Sequence, residues 1–410
     1  MTDQAETRHL NPSSAKRRRY VLILSFTLII ITLGFGIVIP IFPFYIDKLG
    51  AGGSELGLLI AVASLMEFIF APVWGSVSDG VGRKPILALG VFGYALSMLL
   101  LGIAENIWML FIARGLVGIL SSATYPAAMA YIGDITSEEE RGGGMGTLGA
   151  AMGLGIIIGP ALGGLLATDL LSMPFFLASG FSMFALLLII VLLPESLPKI
   201  LRKRADGLKM VKLGELVGAL RSPTGSLLFM AFLLSFGLSN FESVFGLYAL
   251  EKFGYSPEQV GTILMVMGLM AAVGKGALTG PTIRRWGEST VIRASLLAGS
   301  IGFLIILQAG TYYTILIATG FFMLSKTLLR PAVLSLTSKR STIGQGAAMG
   351  LSNSFMSLGR IAGPIWAGYI FDVNYNYPYV SGSAILFIGF IISLILGLRD
   401  AKTTLHNSTI

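Results

Sequence analysis

Two carboxylates stand where carboxylates are costly. Of the 21 Asp and Glu in this 410-residue chain, only Glu67 and Glu242 fall well inside long apolar runs. A charge at the centre of a bilayer costs about 2.5–3.5 kcal/mol on insertion scales, so each of these acids calls for a partner or a purpose. Desolvation favours the neutral acid, which suits a group that must take up and release a proton. Five cations also lie inside apolar runs: Arg114, Lys275, Lys326, Arg330 and Arg360. Lys275 is close to the end of its run and reads as a snorkelling side chain. Phe245 lies one helical turn from Glu242 on the same face, and an acid beside aromatic and apolar walls is the chemistry that holds hydrophobic cations. Other chemistries lack their residues. There is no Cys, and the two histidines, His9 and His406, lie near the chain ends. Thiol catalysis, a thiolate metal site and a transmembrane imidazole relay are therefore not expected, and neither is any metal or cofactor. Gly274-Lys-Gly lacks the spacing and hydroxyl of a phosphate loop. No nucleophile–base pair is evident, which argues against an ATP-driven pump or a membrane enzyme.

The elements that must position these groups are membrane helices. The chain is 54% hydrophobic with mean hydropathy +0.80 and only 12% charged, against about 25% charged in a soluble domain. Apolar runs fall at roughly 20–45, 56–77, 86–104, 107–131, 144–167, 173–193, 224–249, 258–279, 291–309, 312–336, 345–370 and 379–398. Runs of this length without period-2 alternation are helices, not barrel strands. The net charge of +8 sits in short segments between the runs, so it reads as topology and not as a nucleic-acid-binding face. With a cytoplasmic N-terminus, 22 of the 29 Lys and Arg fall on that side and only Lys48 and Lys252 on the other. Both termini are then expected to be cytoplasmic. The start is polar and basic, and the run after it is too long for a signal-peptide core, so no cleavable signal peptide is expected.

A basic stretch at 195–222, read as a cytoplasmic linker, divides the runs into six and six. The expected organisation is a basic tail at 1–19, a six-helix bundle at 20–194, the linker, a second bundle at 223–398 and a tail at 399–410. Two echoes support duplication. Gly155-x3-Gly159-Pro160-x3-Gly164 recurs 204 residues later as Gly359-x3-Gly363-Pro364-x3-Gly368. Gly75-x6-Gly82 recurs 205 residues later as Gly280-x6-Gly287. Two independent features at nearly one offset argue for parallel six-helix repeats, an architecture of transporters whose site lies at the midplane.

Gly75-Ser-Val-Ser-Asp79-Gly-Val-Gly82-Arg83-Lys84, in this context, resembles the signature of the major facilitator superfamily. Gly155 to Gly164 resembles the antiporter signature of its twelve-helix drug:proton antiporters. Leu110-x3-Arg114-x3-Gly118 matches a further motif in the fourth helix. Phe236-Gly-Leu-Ser-Asn-Phe-Glu242, Arg330-Pro331 and Phe371-Asp372 are similar to the Gram-positive multidrug and quinolone exporters. The likeness runs from about residue 20 to 400. It implies an all-α major facilitator fold of twelve helices in two pseudo-symmetric bundles, working by alternating access with proton entry driving drug exit.

The resemblance also implies roles. Gly75, Asp79, Gly82, Arg83, Lys84, Asp134 and Arg141 would form a cytoplasmic latch or gate. Gly155, Gly159, Pro160 and Gly164 would let helices of opposite halves approach closely. Glu242 matches the seventh-helix acid expected to carry the proton and meet the cation, with Arg114 and Arg330 in the proton-coupling set and Arg330 as a candidate partner for Glu242. Glu67, Tyr125, Glu242, Phe245 and Phe355 would line the substrate cavity. Glu67 is a second candidate proton site, or it pairs with Arg360, because the second and eleventh helices of this fold abut. This chain departs from the family at two places: Thr327 stands where relatives commonly have an Asp, and Glu67 where they commonly have an amide. The expected activity is export of amphipathic, often cationic drugs by proton antiport. The alternative is a metabolite or sugar exporter, or a proton symporter, on the same fold. The expected partners are small amphipathic molecules, protons and the lipid bilayer, in a monomer spanning the plasma (inner) membrane.

Overall fold

The computed structural model describes residues 13–167, 170–202, 213–221, 224–340 and 344–407. The remaining residues, which include the N-terminal tail to 12 and Lys203, Arg204, Lys209 and Lys212 of the basic linker, lie outside that description. The described residues are helical, with no strand among them. The helices are α1 Ser14–Lys48, α2 Gly53–Val81, α3 Arg83–Gly102, α4 Ile107–Ile135, α5 Glu138–Leu166 and α6 Met173–Leu192. After a short linker helix, Leu213–Leu220, come α7 Gly225–Phe253, α8 Pro257–Val273, α9 Thr279–Gln308, α10 Tyr312–Arg340, α11 Gln345–Val373 and α12 Tyr377–Asn407. Among the described residues, ten helical stretches are long and apolar enough to cross a membrane. One of these, Pro257–Gln308, holds two rods, because Gly287 has φ +73° and breaks the helix. α11 is as long as its neighbours but is not among the ten. The twelve expected runs thus each find a helix.

Local chemistry sets the ends. Asn106 caps α4 by accepting from the Met109 N–H at 3.1 Å, and Ser137 caps α5 through the Glu140 N–H, each satisfying a donor the helix leaves open. Gly254, left-handed at φ +66°, closes α7 by donating to the Leu250 carbonyl at 2.9 Å, the usual use of a residue without a Cβ.

The chain forms two compact units. The first holds Met1–Ala51, Val62–Val211 and Tyr255–Met265. There α1 packs along α5, and α3 along α6. Its core joins Leu24, Leu87, Val91, Tyr131, Ile132 and Ile189. The second holds Gly52–Ala61, Lys212–Gly254 and Val266–Ile410. There α7 packs along α11, and α9 along α10 and α12. Its core is aromatic: Phe241 stacks on Phe245 at 4.9 Å and meets Phe322, Phe303 and Tyr379. Large apolar side chains such as Trp108, Tyr313, Ile317 and Val191 are exposed, as lipid-facing surface requires.

The repeated glycines explain the tightest packings. A Cβ on Gly155 would sit 2.7 Å from the Leu33 nitrogen of α1, and one on Gly159 would sit 2.9 Å from the Gly36 Cα. In the second unit a Cβ on Gly359 would sit 2.7 Å from the Phe236 nitrogen of α7. The first glycines of each motif therefore seat a helix on another of the same sequence half. Only the last glycine reaches further along the chain. Gly164 lies against Pro257 and Glu258 at the start of α8, and Gly368 lies against Gly53 and Gly57 at the start of α2.

Candidate functional site

In the first unit the signature loop is an ion-pair network around Arg83. Gly82 between α2 and α3 has φ +122°, a conformation that glycine adopts without strain. This turn carries Arg83 inward, where its side chain is 10% exposed. The guanidinium donates to Asp79 at 2.6 Å, to Asp134 at 3.2 Å and to Ser78 Oγ at 3.1 Å. Glu195, just past α6, accepts from the Arg83 N–H at 2.8 Å and the Lys84 N–H at 3.3 Å. It therefore caps α3 from a distant point in sequence. Ser196 Oγ donates to Asp134 at 2.8 Å, and Lys84 Nζ donates to the Ile190 carbonyl at 2.8 Å. Arg141 is not part of this cluster; it donates to the Gly133 carbonyl at 3.3 Å. Gly75 packs loosely, with the nearest atom to a built Cβ, Pro126 Cβ, at 4.0 Å. Sequence reasoning missed Glu195 and Ser196, which lie 112 and 62 residues from the partners they bind.

Deeper in that unit, Arg114 is 4% exposed and lies over the Phe42 ring, 5.3 Å from its centroid. Glu67 on α2 and Tyr94 on α3 are the groups whose fields reach it. Gly118 makes room for this approach of α4 to α2, because a Cβ there would meet Met66 and the Ala63 carbonyl. Glu67 and Tyr125 are both exposed side chains.

In the second unit Glu242 is partly exposed on α7. The cations whose fields reach its carboxyl are, strongest first, Lys326 on α10, Arg360 on α11 and Lys275. Lys275 sits in a π-turn at Gly274–Leu278 that widens the helix after α8, a local geometry often found at functional sites. Its side chain is exposed, and the fields of Arg330 and Glu242 reach it. Arg330 is exposed, and its field is felt at Lys275. Arg360 donates to Ser357 Oγ at 3.3 Å. Thr327 uses its hydroxyl within its own helix, donating to the Met323 carbonyl at 2.8 Å. Phe245 is 1% exposed and Phe355 4% exposed, and Phe245 faces the aromatic core. Lys326, which spacing did not single out, is 3% exposed.

Asp372 at the end of α11 also has a defined task. Its carboxylate accepts from the Gly53 N–H at 2.7 Å, the Ser54 N–H at 2.9 Å and the Ser54 hydroxyl. It caps α2 from another helix, where an anion is favoured by the helix dipole. Among the described residues no cluster of His, Cys, Asp or Glu has a metal-binding arrangement.

A duplicated set of membrane helices with a few interior charges defines a multi-pass transporter. The comparisons name its family. The profile of the Major Facilitator Superfamily matches residues 24–237 and 227–409, and the chain belongs to that superfamily. It is similar to multidrug resistance protein 2 of Bacillus subtilis, at 32% identity over 95% of this chain and 96% of that protein. Multidrug resistance protein 1 of the same organism is 33% identical over 92% and 96%. The quinolone resistance protein NorA of Staphylococcus aureus is 28% identical over 95% and 99%. Among solved structures, a bacterial homolog of the human lysosomal transporter Spinster superposes with TM-score 0.74 at 13% identity, over 94% of this chain and 97% of that one. The human organic anion transporter MFSD10 superposes with TM-score 0.66 at 23% identity, over 93% and 100%. The chain is a membrane transporter and not an enzyme.

Proposed function

We propose that this protein exports amphipathic, often cationic drugs across the plasma membrane by proton antiport and alternating access. The observation that carries the reading is end-to-end similarity to named multidrug and quinolone resistance proteins, over 92–95% of this chain. Support for proton coupling comes from Glu242, an acid inside a membrane helix and within the fields of several cations. It would carry the proton and meet a cationic cargo, while Arg114 and Arg330 bias neighbouring carboxylates and Glu67, Tyr125 and Phe355 contribute to the cavity. Phe245, packed in the aromatic core, supports the helix face that carries Glu242. The functional halves are 20–194 and 223–398, joined by the cytoplasmic linker 195–222, with both termini cytoplasmic and the protein working as a monomer. Asp79, Arg83 and Asp134 serve as a latch that breaks as the cycle turns, with Gly75, Gly82, Lys84 and Arg141 shaping that loop and its surroundings. Gly155, Gly159, Pro160 and Gly164 provide the close helix contacts.

The driving force suffices. A charge crossing 100 mV gains about 2.3 kcal/mol and a ΔpH of one unit adds about 1.4 kcal/mol per proton. Together these sustain a gradient of several hundredfold per proton for a neutral cargo. One proton exchanged for one monovalent cation is electroneutral and draws on ΔpH alone, about tenfold per pH unit. The test uses purified protein in liposomes with an imposed ΔpH, an internal pH-sensitive dye and added ethidium. Wild type should give ethidium-dependent proton flux and Glu242→Gln should abolish it. Flux lost in Glu67→Gln and kept in Glu242→Gln would move the proton site to α2. Silence across a broad panel of cations would favour a metabolite exporter instead. We also propose that Glu67 pairs with Arg360. Glu67→Gln and Arg360→Gln should then cost the same singly and together, whereas simple additivity of the two losses would refute the pairing.

A further inference from the structure

Lys326 is the most unusual charge in the chain. Its side chain is 3% exposed in the middle of α10. Nζ donates to the Leu234 carbonyl at 3.3 Å and lies 5.9 Å from the centroid of Phe322. Among the described residues no carboxylate lies within ion-pair distance of it. An ammonium has three donors, and a long bond to one carbonyl with a ring nearby leaves it under-satisfied. Burying a charge without a counter-ion is strongly unfavourable. Lysine can relieve that cost by giving up its proton, and arginine cannot.

The surroundings are shaped for an amine. A Cβ on Gly237 of α7 would come within 3.1 Å of Nζ, and one on Gly299 of α9 within 3.5 Å of Cδ. Two glycines thus leave the room that the long side chain fills. The ionisable groups around it are few. Glu242 on α7 is the group whose field reaches the amine. Lys275, in the turn after α8, and Arg360 on α11 act on the same carboxyl. From α12, Tyr379 enters the ring cluster of Phe241 and Phe303, while α9 packs Gly299 and Phe303 on this side.

We infer that Lys326 is a second proton carrier of the transport cycle, working with Glu242 across the α7–α10 contact. The inference rests on the antiport reading above. In the step it performs, an N–H bond of the ammonium breaks, the electron pair stays on nitrogen, and the proton passes to water on the inner side. The neutral amine takes a proton back from water on the outer side. The pair then runs from Glu–COOH with Lys–NH3+ (net +1), through a neutral state, to Glu–COO− with Lys–NH2 (net −1). The field of each group reaches the other, and groups coupled in this way titrate as a pair whose protons leave in two macroscopic steps.

The test compares wild type, Lys326→Arg and Lys326→Met in liposomes, reading protons moved per ethidium and the pH profile of transport. Both variants should move roughly one proton fewer per ethidium and lose the same limb of the pH profile. A Lys326→Arg variant with wild-type stoichiometry and profile would make Lys326 a fixed charge and overturn the inference. An unchanged Lys326→Met would overturn it as well. A measurement on the unmodified protein guards against variants that fail to fold. Calorimetry of ethidium binding, in buffers of different ionisation enthalpy and across pH, should show release rising above one proton per ethidium. Release that never exceeds one overturns the inference and leaves antiport standing. No release at any pH, with no flux in liposomes, overturns both.

Discussion

The turn after α2 and the break inside α9 are the same device with the charges exchanged. Gly82 and Gly287, 205 residues apart, both have positive φ and both release the chain into a new rod. The next residue is Arg83 in one and Glu288 in the other. Arg83 pairs with Asp134, and Glu288 pairs with Lys339 while also accepting from Ser335 Oγ at 2.9 Å. The offset of 205 that relates the glycines also relates Asp134 to Lys339. The repeat has kept the geometry and inverted the sign, so what the position requires is a pair holding two helices, whichever partner is the acid.

The inversion has a physical consequence. Each charged residue opens a helix, where the dipole favours an anion. Glu288 satisfies that preference by itself. Arg83 opposes it, and the first unit supplies the missing negative charge through Glu195, which binds the first two N–H groups of α3. The two pairs also differ in exposure. Arg83 and Glu288 are similarly sheltered, at 10% and 13%, but Asp134 is 19% exposed and Lys339 64%, so solvent screens the second pair more through its lysine.

The largest expected effect comes from rewriting the first device in the image of the second. Arg83→Glu alone sets four carboxylates around one turn, and ethidium efflux should fall about tenfold or more, as loss of a few kcal/mol from a partly buried pair implies. Adding Asp134→Lys recreates the Glu–Lys pair and should restore a large part of the efflux and of the Tm. A double variant no better than the single one would break the comparison. The next effect separates the two glycines. Gly82→Ala places a Cβ against Glu195 at φ +122° and should destabilise by about 2 kcal/mol. Gly287→Ala meets no atom within 4 Å and should cost only about 1 kcal/mol for its positive φ. Thermal unfolding of the two variants in the same detergent reads the difference, and equal losses would show that the Glu195 contact adds nothing.

Much of this was legible in the chain. The twelve apolar runs each find a helix because hydropathy over 20 residues is a strong signal for bilayer burial. The glycine echoes marked places of close backbone approach, but the approach was expected between opposite halves. Gly155, Gly159 and Gly359 instead seat α5 on α1 and α11 on α7 within one half, and only Gly164 and Gly368 meet residues of the other. The site was less legible. Glu195 and Asp372 cap helices far from them in sequence, and spacing along one helix carries no trace of such a contact. Phe245 shares a helical face with Glu242, yet the ring cluster of Phe241, Phe303 and Phe322 draws it into the core; periodicity gives the face of a helix and not what that face meets. Lys326 needed only the elimination already applied to the acids, because a lysine in mid-run is as costly as a glutamate.

The measurement that bears most directly on the central claim follows proton and ethidium movement together in one set of liposomes. Antiport through Glu242 predicts that reversing the imposed ΔpH reverses ethidium movement, that protons always run opposite to ethidium, and that Glu242→Gln stops both. Ethidium accumulation that ignores the direction of ΔpH, or persists unchanged in Glu242→Gln, would contradict it.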